Sequence, residues 1–332
     1  KRRSPRQDPP GSGKLPEDIQ VIRDEDLKNK QVSASLEENR KFLEEIFKPN
    51  IDAVFREFNL GAGKKENAFL VYLKSLTDEA RISEDILKPL MQAEKMATLE
   101  RLDELPEVAG KTILTAAEVR LKARDMHSVV REVLFGGTAV FVQGCRVAMV
   151  AELKQWPQRP VEKSDVESTV RGPKESFTET IGVNTSLVRR RLRSPNLVIE
   201  GLNLGRMTNT PVCIAYLKGV VSPDLLTEVR RRIGRIDIDG VLESGYIEEL
   251  VQDDPYSPCP QLAYTERPDR VLAALLQGRV CVFTDGTPMV LYLPATLDTM
   301  LQNPEDYYER FYVASAIRIL RFSAVLMALL LP

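Results

Sequence analysis

The sequence predicts an α/β protein of two tandem related subdomains, each a small mixed sheet with flanking helices and a terminal β-hairpin, followed by an amphipathic helix and the start of a transmembrane helix. Three observations predict it. Short strings recur in the same order in both halves of the chain. Each half holds a continuous apolar run of strand length and, later, two such runs around a glycine-containing turn. The last residues before Pro332 carry no charge. The resulting segmentation is a disordered basic tail over 1–25, subdomains over 26–153 and 176–297, a linker over 154–175, a juxtamembrane helix over 298–320 and the start of a membrane helix over 321–332.

The repeat rests on three anchors. Asn59-Leu60-Gly61 is matched by Asn203-Leu204-Gly205, and Tyr72-Leu73-Lys74 by Tyr216-Leu217-Lys218, both at an offset of 144 (203 against 59, 216 against 72). Leu134–Gly144 is matched by Leu276–Gly286 at an offset of 142, so only a short net deletion intervenes. Upstream of each Asn-Leu-Gly a helix-like charged segment ends in Pro-Asn, Pro49-Asn50 and Pro195-Asn196, followed by a strand-like run.

Taken in order, Lys1–Asp18 is rich in basic residues, Pro and Gly and lacks the apolar core of a signal peptide. Ala68–Leu73 and Val212–Leu217 read as strands buried on both faces and interior to their sheets. Arg124–Phe135 reads as a helix carrying His127, the single histidine. Thr138–Val142 with Arg146–Leu153, and Val280–Thr284 with Met289–Leu293, read as hairpins; Asp285-Gly286 suits a type I′ turn with positive φ at both residues. Glu175–Arg193 follows the Gly172-Pro173 turn as a helix. Ser222-Pro223-Asp224 starts another, with Leu225, Leu226, Val229 and Ile233 on its apolar face.

Charge and motif content narrow the function. Lys+Arg 46 against Asp+Glu 48 leaves a net charge of −2, which gives no bulk basic field for nucleic acid. Cys145, Cys213, Cys259 and Cys281 are widely spaced without a C-x-x-C pair, as in a reducing compartment, and neither a metal site nor a cofactor is expected. Gly61-Ala62-Gly63-Lys64 lacks Walker A spacing, no G-x-G-x-x-G follows a strand, and no nucleophile, base and acid converge. The chain reads as non-catalytic.

The arginine-rich segment is the candidate interface: Arg171, Lys174, Arg189, Arg190, Arg191 and Arg193. Arginine forks suit an acidic subunit surface or lipid headgroups; equally, cations in a last helical turn satisfy carbonyls and the helix dipole. At the C-terminus, Tyr307, Tyr308, Phe311 and Tyr312 form an interfacial aromatic group, and Arg318 and Arg321 flank the apolar run where it meets the membrane, which places the head on the cytoplasmic side.

These residues carry a family resemblance. Thr169–Lys174, Phe177-Thr178-Glu179-Thr180, Asn184-Thr185, Leu187 with Arg189-Arg190-Arg191, Tyr216-Leu217-Lys218, Asp285-Gly286 and Asn303–Tyr308 are similar to the A subunits of GerA-type spore germinant receptors, over about 26–332. Stage V sporulation protein AF shares the pattern. The resemblance implies a chain that continues into several membrane helices of the spore's inner membrane, with the head facing the core. It implies no enzyme activity, a homo-oligomeric ring-like ion channel, and permease-like B and lipoprotein C subunits as partners. The alternative from the residues alone is a soluble two-domain protein with a small ligand in the inter-domain cleft.

Overall fold

The structure, a computed structural model, describes residues 20–61, 66–92, 118–154, 175–253, 260–296 and 311–330. The basic tail therefore lies outside the described residues, apart from its last few. The first domain runs α1 (Asp24–Asn29), α2 (Leu36–Phe47), β1 (Ala53–Leu60), β2 (Glu66–Leu73), α3 (Glu79–Arg81), a π-helical stretch Ile82–Leu87, α4 (Lys88–Gln92), β3 (Glu118–Ala123), α5 (Met126–Leu134), β4 (Gly137–Val142) and β5 (Ala148–Glu152). The second runs α6 (Ile181–Arg191), β6 (Leu197–Leu204), β7 (Thr210–Leu217), α7 (Pro223–Ile233), α8 (Ser244–Val251), β8 (Ala263–Thr265), α9 (Pro268–Leu276), β9 (Val280–Thr284) and β10 (Val290–Leu293); α10 (Phe311–Leu330) follows.

Each domain holds one five-stranded sheet, in the orders β1-β2-β4-β5-β3 and β6-β7-β9-β10-β8, so strands of equal rank occupy equal places. All pairs are antiparallel, where the sequence suggested mixed sheets. The continuous apolar runs arise without parallel pairing because helices cover both faces of each sheet. Phe69, Val71 and Leu73 point into one core with α2 and α5, while Ala68, Leu70 and Tyr72 point into the other with Ile82, Ile86 and Leu90. In the second sheet, Val212, Ile214 and Tyr216 meet α7 and α8, and Cys213, Ala215 and Leu217 meet α6 and α9. β2 and β7 are interior as expected, with β4 and β9 in the middle. Across β2 and β4, Phe69 and Phe141 are register partners whose rings stack at 4.8 Å.

The duplication extends into hydrogen bonds that no sequence anchor marks. Buried Asn39 accepts from Ser33 N (2.8 Å) and donates to Ser33 O (2.7 Å); buried Asn184 does the same with Thr178 (2.8 and 2.6 Å). Gln143 accepts from Leu36 N at the start of α2, and Asp285 from Ile181 N at the start of α6. Gly136 and Gly278 follow matched helices at φ 89° and 83°; a Cβ there would sit 2.9 Å from Leu76 O and 2.5 Å from Val220 O. Both positions therefore need glycine for conformation and for space.

Four local expectations change. The Pro-Asn strings are not equivalent: Lys74 N donates to Asp52 O and Lys218 N to Asn196 O, so Asp52, not Asn50, is the counterpart of Asn196. Asp285-Gly286 is not a type I′ turn, since Gly286 has φ 89° but Asp285 is not among the positive-φ residues. The loop between β9 and β10 is longer than two residues, which frees the Asp285 side chain to cap α6. The helix expected over Glu175–Arg193 is confined to Ile181–Arg191, because Ser176 and Phe177 are held extended by Glu266 O. Ser222 occupies the N-cap position of α7 without a side-chain cap bond, leaving Pro223 and Asp224 as the start signals. Leu226, Val229 and Ile233 are buried as expected, and each such burial contributes about 1.5–3 kcal/mol.

Candidate functional site: the domain junction and the C-terminal helix

Arg189 leaves the last turn of α6 and crosses to the first domain. Its Nε donates to Asp52 Oδ2 and its Nη2 to Asp52 Oδ1, both at 2.7 Å; Nη2 also donates to Asn50 Oδ1 at 2.8 Å. The Arg189 side chain is 2% exposed and that of Asp52 10%, so this is a two-pronged ion pair in a largely water-free setting. Asn50 Oδ1 accepts in addition from Ile199 N of β6 at 2.9 Å, Ile51 N donates to Ile199 O at 2.9 Å, and Ser75 Oγ donates to Asp52. The loop before β1 thus adds itself to the edge of β6.

Space is made for this contact by Gly201, where a Cβ would lie 1.8 Å from Ile51 Cδ1. Two further contacts cross the junction. Asn196 clasps Ile22, accepting from its N (2.8 Å) and donating to its O (3.0 Å), and the Arg193 guanidinium lies 4.2 Å from the centroid of the Phe135 ring. Burial and the nearby Asp52 carboxylate push the Cys213 thiol up to about 12, a buried thiol kept neutral beside the ion pair.

The arginine run is therefore divided. Arg189 is enclosed within the chain, which removes it as a surface for a second subunit, and Arg193 faces Phe135 of the first domain. Arg191 pairs with Glu175, and Arg190 is half-buried on α6. Arg171 and Lys174 lie outside the described residues. The partners Asp52, Asn50, Ile51 and Gly201 were missed in the sequence. The signal that could have found them is divergence between the halves: at the offset of 144, Asp52 faces Asn196 and Gly201 faces Glu57. Several of the strings that carry the resemblance meet at the opposite end of α6, where Asp285 caps the helix at Ile181 N, Asn184 bonds back to Thr178 and Gly286 N donates to Glu179 O.

An open groove of about 750 Å³ lies beside the junction, lined among others by Ile22, Phe42, Glu44, Ile46 and Lys218. Among the described residues no three His, Cys, Asp or Glu side chains are grouped to hold a metal. His127 sits half-buried on α5.

α10 is one helix of 20 residues, Phe311–Leu330, that runs through the boundary expected at 320/321. Its Phe311–Ala328 window has a mean hydropathy of 1.5, long and apolar enough to cross a membrane by length and composition. Arg318 and Arg321 fall inside that window, Phe311 and Tyr312 start it at 82% and 53% exposure, and Tyr307 and Tyr308 lie outside the described residues.

Comparison with known proteins bears on this architecture. The family model described as "Bacillus/Clostridium GerA spore germination protein" matches residues 41–332. The membrane protein YfkQ of Bacillus subtilis is 38% identical over 315 residues, which is 95% of this chain and 60% of that protein. Spore germination protein KA of the same organism is 33% identical over 301 residues, 91% of this chain and 54% of that protein. The chain thus spans somewhat over half the length of these relatives. The crystal structure of the N-terminal domain of the A subunit of the Bacillus megaterium spore germinant receptor GerK3 superposes with a TM-score of 0.64 at 30% identity, covering 81% of this chain and 98% of that one. With two antiparallel α/β domains and a C-terminal apolar helix, the chain belongs to the GerA spore germination protein family.

Proposed function

We propose that this chain is the N-terminal head of a germinant-receptor A subunit: a non-catalytic module that acts in assembly and coupling within an oligomeric, ion-conducting complex. The observation that supports this reading is the junction. Arg189, Asp52, Asn50 and Ile199 tie the two domains through buried hydrogen bonds, so the pair moves as one body, and the apolar α10 leads out of it. A rigid body attached to a membrane helix can transmit a displacement at its surface to that helix. The partners of the reading are further copies of the chain, a permease-like B subunit, a lipoprotein C subunit and membrane lipid. Its location is the inner membrane of the spore, with the head on the cytoplasmic side. With Arg189 enclosed, Arg190 and Arg191, together with Arg171 and Lys174, are the remaining arginine-segment residues for subunit contact.

The test is carbonate extraction of spore membranes, probed with an antibody to this head. A carbonate-resistant species clearly heavier than 37.4 kDa is expected; a soluble species near that mass overturns the reading. Charge reversal at Arg190 and Arg191 should weaken assembly, and unchanged assembly removes them from the interface. A second reading, a small ligand held by the head, is favoured by one feature, the groove beside Ile22, Phe42 and Lys218. Calorimetry against amino acids, sugars and nucleosides separates the two.

A further inference from the structure

The segment between Arg235 and Arg267 contains eight carboxylates and no lysine or arginine. α8 lies within it. Its inner face, Ser244, Ile247 and Val251, is buried, and Ile247 and Val251 pack with Leu226 and Val229 of α7. Its outer face carries Tyr246 and Leu250, four residues apart, at 44% and 48% exposure, and Leu242, 68% exposed, stands in the extended segment just before the helix. Side chains spaced by four share one face of a helix, so Tyr246 and Leu250 form an apolar stripe open to water, with Leu242 exposed before its N-terminal end.

Carboxylates border the stripe. Glu249 stands three residues after Tyr246 on the helix, and Glu243 occupies the N-cap position before it. Nearby cations are already engaged: Arg231 pairs with Glu228, and Arg232 with Glu228 and Asp253. Among the described residues neither Glu243 nor Glu249 has an ion-pair partner. Burial and the nearby Glu243 raise the Glu248 carboxyl above its ordinary value, which marks like-charge crowding on this helix. An apolar stripe with an uncompensated anionic border has a specific complement, a helix with apolar residues on one side and lysine or arginine flanking them.

We propose that the Tyr246–Leu250 face of α8, with exposed Leu242 before its N-terminal end, docks a cationic amphipathic helix of a partner protein, its apolar side chains on the stripe and its basic groups against Glu243 and Glu249. A second copy of this chain in a two-fold contact would bring two acidic faces together. An anionic lipid surface would be repelled by the same carboxylates.

The probe is a fluorescein-labelled helical peptide of leucine and lysine, titrated with the full chain in nonionic detergent and followed by anisotropy. The control is the same peptide with glutamate replacing lysine. The leucine–lysine peptide is expected to bind and the leucine–glutamate peptide not. Tyr246→Ser with Leu250→Ser should weaken binding by about tenfold or more. Glu243→Gln with Glu249→Gln should weaken it less and flatten its salt dependence. All four side chains lie at the surface of α8, so an unchanged melting temperature identifies the losses as binding effects. Equal binding by the parent and the serine pair, or of both peptides, overturns the proposal. So does loss of self-association in the serine pair by sedimentation, which would make the face a contact between copies. Capture by phosphatidylglycerol vesicles that the serine pair abolishes would make it a lipid surface and would equally overturn it.

Discussion

Arg189 is the residue whose role the sequence left most open, and its surroundings decide it. Two parallel bonds to Asp52 and one to Asn50 use a planar fork that lysine cannot reproduce. Removing one member of a buried pair leaves the other charge desolvated, which costs about 3–5 kcal/mol. Arg189→Ala should therefore lower the denaturation midpoint by a corresponding amount, while Arg189→Leu combined with Asp52→Leu should recover part of the loss. Equilibrium denaturation of the single and double variants checks this, and an Arg189→Ala loss below 1 kcal/mol would be the contrary result. Tyr72 gives a second prediction. Burial first, then its hydrogen bond to Glu79, raises its hydroxyl from the usual value near 10 to about 12. The folded state then keeps a proton that the unfolded state releases, so this contribution is complete below about pH 10 and lost as pH rises toward 12. Tyr72→Phe should show a shallower fall of stability over that window, read from denaturant midpoints at stepped pH.

Among elements, the middle strands carry the strongest constraint. β9 is buried along its whole length, with Val282 and Phe283 each 1% exposed and facing opposite cores. Neither face offers a site for a charge. Val282→Asp or Phe283→Asp should cost more than about 4 kcal/mol and abolish the cooperative melt of the second domain; a retained transition by calorimetry would contradict the assignment. These strands were legible because a run apolar on both faces is a local property of sequence. The turns were less so. Asp-Gly signals a two-residue hairpin when the turn alone sets the geometry, but Asp285 has a second task at Ile181 N, and the longer loop lets it reach there. The limits of α6 were likewise set by Glu266, whose carbonyl holds Ser176, 90 positions away in the chain, and its neighbour Phe177.

For the whole molecule the question is whether the two domains unfold together. Gly201 lies in β6 in a conformation any residue can adopt, so valine there favours the strand and acts only through its collision with Ile51. Gly201→Val should split a single thermal transition into two, and Ile51→Ala in the same chain should restore one; an unsplit melt of the valine variant would show that the junction does not couple the domains. The sequence by itself determined the duplication, the strands buried on both faces and the apolar character of α10, because each is written in residues close together along the chain or in strings repeated at a fixed offset. Only the tertiary structure decided that Arg189 faces inward. Its partner Asp52 lies 137 residues away, and the equivalent position in the sister domain is Asn196, so the repeat registers the pair only as a divergence between the halves and does not say what Asp52 contacts. Nor does periodicity reveal which half contributes the loop and which the strand edge at the junction. That asymmetry follows from Gly201 and Ile51 meeting in space, where buried contacts join two related domains.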